Sequence, residues 1–161
     1  MSDVTPDQAG PSAGQADGAT MRAELPADLT SARQARSAVR QALAAWDMGR
    51  LADDAELLAS ELVANAAEHS DGTPISLALH RHAEPGNQGI TCEVTDTAPD
   101  LPQVRDASPD SERGRGLAIV AALSRSSGVH ATPGGKTSWF TLALHDRIER
   151  TARQIEPEAG A

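Results

Sequence analysis

Aromatic residues are scarce in this sequence: its 161 residues include one Phe, two Trp and no Tyr. The core must therefore consist mainly of Leu, Val, Ile and Ala, which requires close packing of helices. The single cysteine, Cys92, excludes an intramolecular disulfide and a multi-cysteine metal site. Redox and zinc chemistry are therefore not expected.

The sequence also lacks an excess of basic charge and long apolar segments. A net charge of -9 and a pI near 4.9 disfavour binding to nucleic acid or to an acidic membrane surface. The longest apolar run, residues 117–123, is too short to cross a bilayer, and the N-terminus shows no export pattern. We therefore expect a cytoplasmic protein that has neither nucleic acid nor membrane as a partner.

The length of the chain predicts one domain. Residues 1–22 have almost no large apolar side chains and are predicted to be disordered, residues 23–145 to fold, and residues 146–161 to form a charged tail. Helical patterns run from about residue 25 to 48, from 52 to 69 and from 117 to 126. Strand patterns cover residues 75–82, 90–95, 128–131 and 137–144, and the first two read as a hairpin. The polar segment 99–113 is predicted to be a functional loop or lid.

The second helical pattern carries a polar column. Glu61, Asn65 and His69 are spaced four residues apart, so they share one side of the helix beside an apolar stripe. Two interpretations remain open at this point. The column is either solvated at the margin of the stripe, or it lines a cavity in which unpaired polar groups would be costly.

Two further features point to a ligand. Asp96 ends the apolar face of the strand 90–95, where it either caps a turn or accepts a hydrogen bond from an exocyclic amine such as that of adenine. Gly114 and Gly116 open the third helix, where exposed amides and the helix dipole favour a phosphate. The glycine spacing fits neither a dinucleotide fingerprint nor a P-loop, which would need a glycine at Ile119 or at His130 respectively.

In this order, the motifs resemble the GHKL (HATPase) superfamily of gyrase, histidine kinases and mismatch-repair proteins. The similarity is greatest to the RsbW-like branch of anti-sigma-factor serine/threonine kinases of actinobacterial type. The motifs that carry it are the helix motif 61–66, the aspartate box 94–99, the glycine box 114–117 and the strand 135–140. The resemblance implies a Bergerat-type α+β fold, a two-layer sandwich whose mixed, mainly antiparallel sheet is covered on one face by about three helices.

The resemblance also implies a role for each motif residue, with ATP and Mg²⁺ as cofactors. Glu61 would be the general base, Asn65 would bind Mg²⁺, and Asp96 would hold the adenine amine. Phosphate contacts would come from the glycine box and its arginines, and Thr137 would support the adenine end. The implied nucleotide-binding residues are Asn65, Asp96, Arg113, Gly114, Arg115, Gly116, Leu117 and Thr137. The chain departs from the family pattern at Thr97 and Ala98, where Gly or Ser is frequent.

Three functions compete under this resemblance. The first is a kinase that phosphorylates an antagonist protein and sequesters a sigma factor, and the second is a non-catalytic module that binds partners according to the bound nucleotide. The third, the catalytic part of a histidine kinase or larger ATPase, is disfavoured because no helical segment with a phosphoacceptor histidine precedes the motifs and no transducer domain follows them. The presence of both Glu61 and Asn65 favours the kinase. The sequence leaves the oligomeric state, including a homodimer, open.

Overall fold

The computed structural model describes residues 18–70, 72–97 and 112–144. The predictions for residues 1–17, for most of the 99–113 loop and for the charged tail lie outside these residues. The described chain forms three α-helices and five strands, with a short 3₁₀ turn at Gly49–Leu51. The helices are α1 (Ser31–Ala45), α2 (Ala52–His69) and α3 (Glu112–Leu123). The strands are β1 (Thr20–Leu25), β2 (Ile75–His82), β3 (Gly89–Asp96), β4 (Ser126–Thr132) and β5 (Gly135–Ala143).

The strands form one sheet in the order β1-β2-β3-β5-β4, and every neighbouring pair is antiparallel. The expected hairpin of β2 and β3 is present, with Leu79 opposite Cys92. Gly86, at a φ of 82°, lies in the connection between the two strands. The predicted α+β sandwich is confirmed, although the described part of the sheet is antiparallel throughout rather than mixed.

Helix α2 lies at the centre of the helical layer. It packs against α1 and α3 on its sides and contacts β2, β3 and β5 beneath. Aliphatic side chains from α1, α2 and the sheet form one core, and Phe140 is the only Phe, Tyr or Trp among the buried described residues. Cys92 packs in this core as a small hydrophobe, and its burial raises the pKa of the thiol. No helix of the described chain has the length and apolar character needed to span a membrane.

The opposite face of the sheet is polar. There, His80 is almost fully buried, and its ring nitrogens contact Thr20 Oγ1 at 3.2 Å and Glu93 Oε1 at 2.7 Å. His82 Nε2 lies 2.6 Å from Thr91 Oγ1. These contacts pair polar side chains across strands, which is how a half-buried sheet face is stabilised.

Several element boundaries differ from the sequence prediction, and the first difference concerns the N-terminal segment. Strand β1 begins at Thr20, inside the segment predicted to be disordered. Its six residues pair with β2, and Leu25 enters the core. Composition did not reveal this strand because its stability comes from pairing with a strand about 55 residues later in the chain.

Other differences concern the ends of helices. Asp28 Oδ1 accepts hydrogen bonds from the Thr30 amide and hydroxyl just before helix α1. The helix begins at Ser31 and not near residue 25, because the chain up to Leu25 belongs to β1. It ends at Ala45 and not near residue 48, because Asp47 takes a left-handed conformation with a φ of 57°. Helix α3 begins at Glu112 and not at Leu117, so the glycine box lies inside the helix.

The start of β5 gives the first prediction. A Cβ atom at Gly135 would overlap the carbonyl oxygen of Asp96, whereas a Cβ atom at Gly134 would have nothing within 4 Å. We expect Gly135→Ala to lower the free energy of unfolding by about 1–3 kcal/mol, as overpacking does. Gly134→Ala is the matched control and should leave it unchanged within about 0.5 kcal/mol. Urea unfolding of both variants checks this, and equal stabilities would contradict the close approach of the two strands.

Candidate functional site

The polar column of α2 lies partly inside the protein. Asn65 is 9% exposed, and Glu61, one turn earlier, is half-buried. The Oδ1 atom of Asn65 is buried and has no hydrogen-bond partner among the described residues. Leaving a buried carbonyl oxygen unpaired costs about 1–3 kcal/mol. The geometry therefore favours the interpretation of the column as the lining of a site.

An ion pair between a mostly exposed arginine of α1 and a buried glutamate of α2 links the two helices. Arg40 Nε lies 3.0 Å from Glu56 Oε2, and one of its terminal nitrogens lies 2.8 Å from Glu56 Oε1. This bidentate geometry is the strongest that an arginine and a carboxylate form. Glu56 is buried, and it keeps the pKa of Arg40 above its usual value. The sequence analysis missed this pair because its partners lie 16 residues apart on different helices.

Helix α3 contacts Glu61 through Gly116. A Cβ atom at Gly116 would lie only 2.6 Å from Glu61 Oε2 and 3.9 Å from Glu61 Cβ. The carboxyl group of Glu61 therefore rests directly against the backbone of α3. The absence of a side chain at Gly116 is what makes room for it.

The structure describes the other residues of the glycine box only in part. Helix α3 includes Arg113, Gly114 and Arg115. The structure does not describe the side chains of the two arginines. Leu117 is half-buried and packs against the hydrophobic core. The structure thus gives Leu117 a packing role, and its expected contact with nucleotide remains a prediction.

Asp96 and Lys136 form an ion pair at the end of the sheet. The two residues are directly opposite each other on β3 and β5, and Lys136 Nζ lies 3.3 Å from Asp96 Oδ2. Both side chains are 1% exposed. Asp96 therefore does not simply cap a turn at the surface. It is a buried carboxylate whose charge is balanced by the neighbouring ammonium group.

Thr137 occupies the other face of the sheet. Successive side chains of a strand point to opposite faces, so Thr137 and Lys136 diverge. The Thr137 hydroxyl lies 2.8 Å from the Thr95 hydroxyl on this second face. The structure thus does not bring the Thr137 side chain to Asp96, and it is Lys136 that adjoins the carboxylate. Sequence reasoning missed Lys136, although the alternation of the strand already assigns it to the face that carries Ser138 and Phe140.

Helix α2 connects these pieces. It contacts α3, which carries the glycine box. It also contacts β3, which ends at Asp96, and β5, in which Lys136 is the second residue. An amide oxygen, a carboxylate and a buried ion pair are therefore presented along one helix and the sheet beneath it. Such a set offers a hydrogen-bonding end for a base and an acidic, oxygen-donating end for a metal and a proton.

Comparison with known proteins gives the family. Residues 25–142 match the model of the histidine kinase-like ATPase domain. The chain belongs to this family. Comparison with curated protein sequences returns no significant match.

Two solved structures are similar to this histidine kinase-like ATPase domain. One contains the RsbU and RsbW domains of Rv1364c from Mycobacterium tuberculosis, with 25% identity, a TM-score of 0.57 and 78% of this chain covered. This chain covers 32% of that longer protein. The other is the histidine kinase domain of a blue-light activated histidine kinase from Erythrobacter litoralis EL346, with 17% identity and a TM-score of 0.50. The match covers 80% of this chain and 65% of that one, and at this identity it shows the fold alone.

The contact between Gly116 and Glu61 gives the second prediction. Replacing a helical glycine by alanine normally stabilises a protein by about 1 kcal/mol. We expect Gly116→Ala to lack this gain because the new methyl group displaces the Glu61 carboxylate. In a Glu61→Ala background the gain should reappear. Thermal or urea unfolding of the two single variants and the double variant measures this coupling, and strictly additive effects would show that the two residues do not touch.

Proposed function

We propose that this protein binds ATP with Mg²⁺ and transfers the terminal phosphoryl group to a serine or threonine of an antagonist protein, and that it sequesters a sigma factor in the cytoplasm. Family membership and the resemblance of the motifs to anti-sigma-factor kinases support the proposal. Within the molecule, one observation carries it. The buried Oδ1 of Asn65 has no hydrogen-bond partner within the described part of the chain, and Asn65 lies one helical turn after Glu61.

The donor set fits a magnesium ion held mainly by a nucleotide. Mg²⁺ prefers oxygen ligands and takes few from the protein when phosphates supply the others. The Asn65 side chain offers one neutral carbonyl oxygen that makes no other hydrogen bond among the described residues. When bound, the ion would neutralise negative charge on the phosphates. Asn65 would hold it, and the amides of the glycine box, at Gly114 and Gly116, would approach the phosphates together with Arg113 and Arg115.

Glu61 would act as the general base. Its carboxylate would accept the proton of the attacking serine or threonine hydroxyl as the new bond to phosphorus forms and ADP leaves. The close contact with Gly116 limits where this carboxylate can lie. A base that is held in one place loses little entropy at the transition state, so the packing of α3 against α2 would contribute to the rate.

The other end of the nucleotide would lie against the sheet. Asp96 would accept a hydrogen bond from the adenine amine, since an ionised carboxylate has about four acceptor positions. The Thr137 hydroxyl already has a partner on the far face of the sheet. Any support that Thr137 gives the adenine would therefore come from its backbone.

The Asn65→Ala variant tests whether Asn65 binds Mg²⁺. The variant removes the amide oxygen, so we expect Mg²⁺-dependent nucleotide binding to weaken about ten- to a hundredfold and phosphoryl transfer to fall with it. Calorimetric titration with ATP in the presence and absence of Mg²⁺ measures the first effect. Asp53→Asn, an exposed position at the other end of α2, is the control and should bind as the wild type does. An unchanged Mg²⁺ dependence in the Asn65 variant would remove this residue from the metal site.

Glu61→Gln separates the enzyme from a binding module. The substitution preserves shape and hydrogen bonding but removes the base, which typically contributes about a hundred- to ten-thousandfold in rate. We expect nucleotide affinity to stay the same while single-turnover transfer of labelled phosphate to candidate antagonist proteins collapses. If the wild type binds ATP, transfers no phosphate and hydrolyses none, and the variant binds partners equally well, the non-catalytic module is the correct function.

A further inference from the structure

Lys136 is the only lysine of the chain, which otherwise carries thirteen arginines. It is also among the most deeply buried side chains, with 1% of its surface exposed. Lysine is almost never fully buried unless its charge is paired, because removing an ammonium group from water is costly. The position of this residue therefore needs a specific explanation.

The ion pair with Asp96 explains only part of it. The two charges are 3.3 Å apart, yet Lys136 Nζ makes no hydrogen bond of acceptable geometry with any described residue. An ammonium group has three donors, and a buried ion pair is stable only when its remaining donors also find acceptors. The buried ammonium of Lys136 thus has donors to spare for an acceptor on a ligand.

The arrangement places a donor beside an acceptor. Asp96 and Lys136 are cross-strand partners on β3 and β5, and both side chains project from the face of the sheet that the helices cover. Gly135 allows β5 to pass closely over the end of β3, which brings the two side chains together. The edge of an adenine ring has the complementary order, with the exocyclic amine as donor and the neighbouring ring nitrogen N1 as acceptor.

We propose that Lys136 is a specificity-determining residue, which donates a hydrogen bond to N1 of adenine while Asp96 accepts one from the exocyclic amine. The inference rests on the proposed ATP binding and assigns the base-reading role to a side chain that the motif comparison did not single out. The compact ammonium group suits this position, because a planar guanidinium would need room for a wider fork of donors. Guanine offers a carbonyl oxygen and a ring N–H group to the same pair, so GTP is the natural competitor.

Nucleotide analogues test the proposal on the unmodified protein. Calorimetric titration compares ATP with its 1-deaza analogue, in which a C–H group replaces N1, and with its 3-deaza analogue, which loses a ring nitrogen on the other edge. Loss of a hydrogen bond to a charged donor corresponds to about a ten- to hundredfold weaker affinity. We expect this loss for 1-deaza-ATP and a much smaller change for 3-deaza-ATP, with GTP binding at least tenfold more weakly than ATP.

The Lys136→Met variant, titrated with the same analogues, gives a double-mutant cycle between the Lys136 ammonium group and N1 of adenine. Methionine fills a similar volume without a donor, so this variant should bind ATP and 1-deaza-ATP equally, while a distinction between ATP and 3-deaza-ATP, if the wild type makes one, should persist. Thermal unfolding establishes that the variant is folded before titration. Should it fail to fold, the analogue series on the wild type still decides the question.

A spectroscopic measurement adds a direct readout. Because the chain has one lysine, protein labelled with ¹⁵N at the lysine side chain gives a single ammonium signal. We expect this signal to shift on addition of ATP and to shift differently with 1-deaza-ATP. A signal that is identical with the two nucleotides would count against the hydrogen bond to N1.

The possible failures are distinguishable. If the wild type binds ATP but binds 1-deaza-ATP equally well, or prefers GTP, the role of Lys136 in reading adenine is wrong and the proposed ATP binding stands or is redirected to guanine. If the wild type binds none of these nucleotides, both the proposed function and this inference are overturned.

Discussion

The burial of helix α2 against the sheet is the constraint on which the candidate site depends. One face of this helix is apolar and packs into the core, and the same burial leaves Asn65 only 9% exposed. The bidentate pair between Arg40 and Glu56 also links the helix to α1. A shift of α2 along its axis would move the Asn65 amide and the Glu61 carboxyl together, so the packing of the helix sets the geometry of the proposed metal and base.

Two glycines let neighbouring elements approach these polar groups. Gly116 brings the backbone of α3 against Glu61, and Gly135 brings β5 against the end of β3 beside Asp96. In both places a methyl group would overlap an atom of the neighbouring residue, namely Glu61 Oε2 or the carbonyl oxygen of Asp96. The glycines near the site therefore act through the close contact that they permit, at least as much as through backbone flexibility.

The two ends of the proposed site differ in how their charges are balanced. At the base end, Asp96 and Lys136 neutralise each other within the protein, which makes a deeply buried position tolerable. At the phosphate end, Glu61 is only half-buried and Asn65 is neutral. This difference suits a ligand with an uncharged base and a charged, metal-bound phosphate chain, because the cation and the polyanion then supply their own charge balance.

Local patterns were sufficient to predict most of the fold. The helical periodicity of residues 52–69 predicts α2 with its observed boundaries, and the alternation of residues 75–82 together with the turn after His82 predicts the hairpin with β3. These elements are specified by neighbours in sequence, namely apolar spacing and turn residues. Strand β1 was missed because only its partner, β2, makes it a strand.

The same distinction applies to the site. The sequence by itself determined that Glu61 and Asn65 share a helix face and that Asp96 ends an inward strand face, since both follow from the periods of helix and strand. Only the tertiary structure decided that Asn65 Oδ1 is buried without a hydrogen-bond partner among the described residues, that Gly116 touches Glu61 and that Lys136 pairs with Asp96. Each of these contacts joins residues at least 40 positions apart or depends on burial by other elements, and no local pattern encodes which distant backbone will pack against a given side chain.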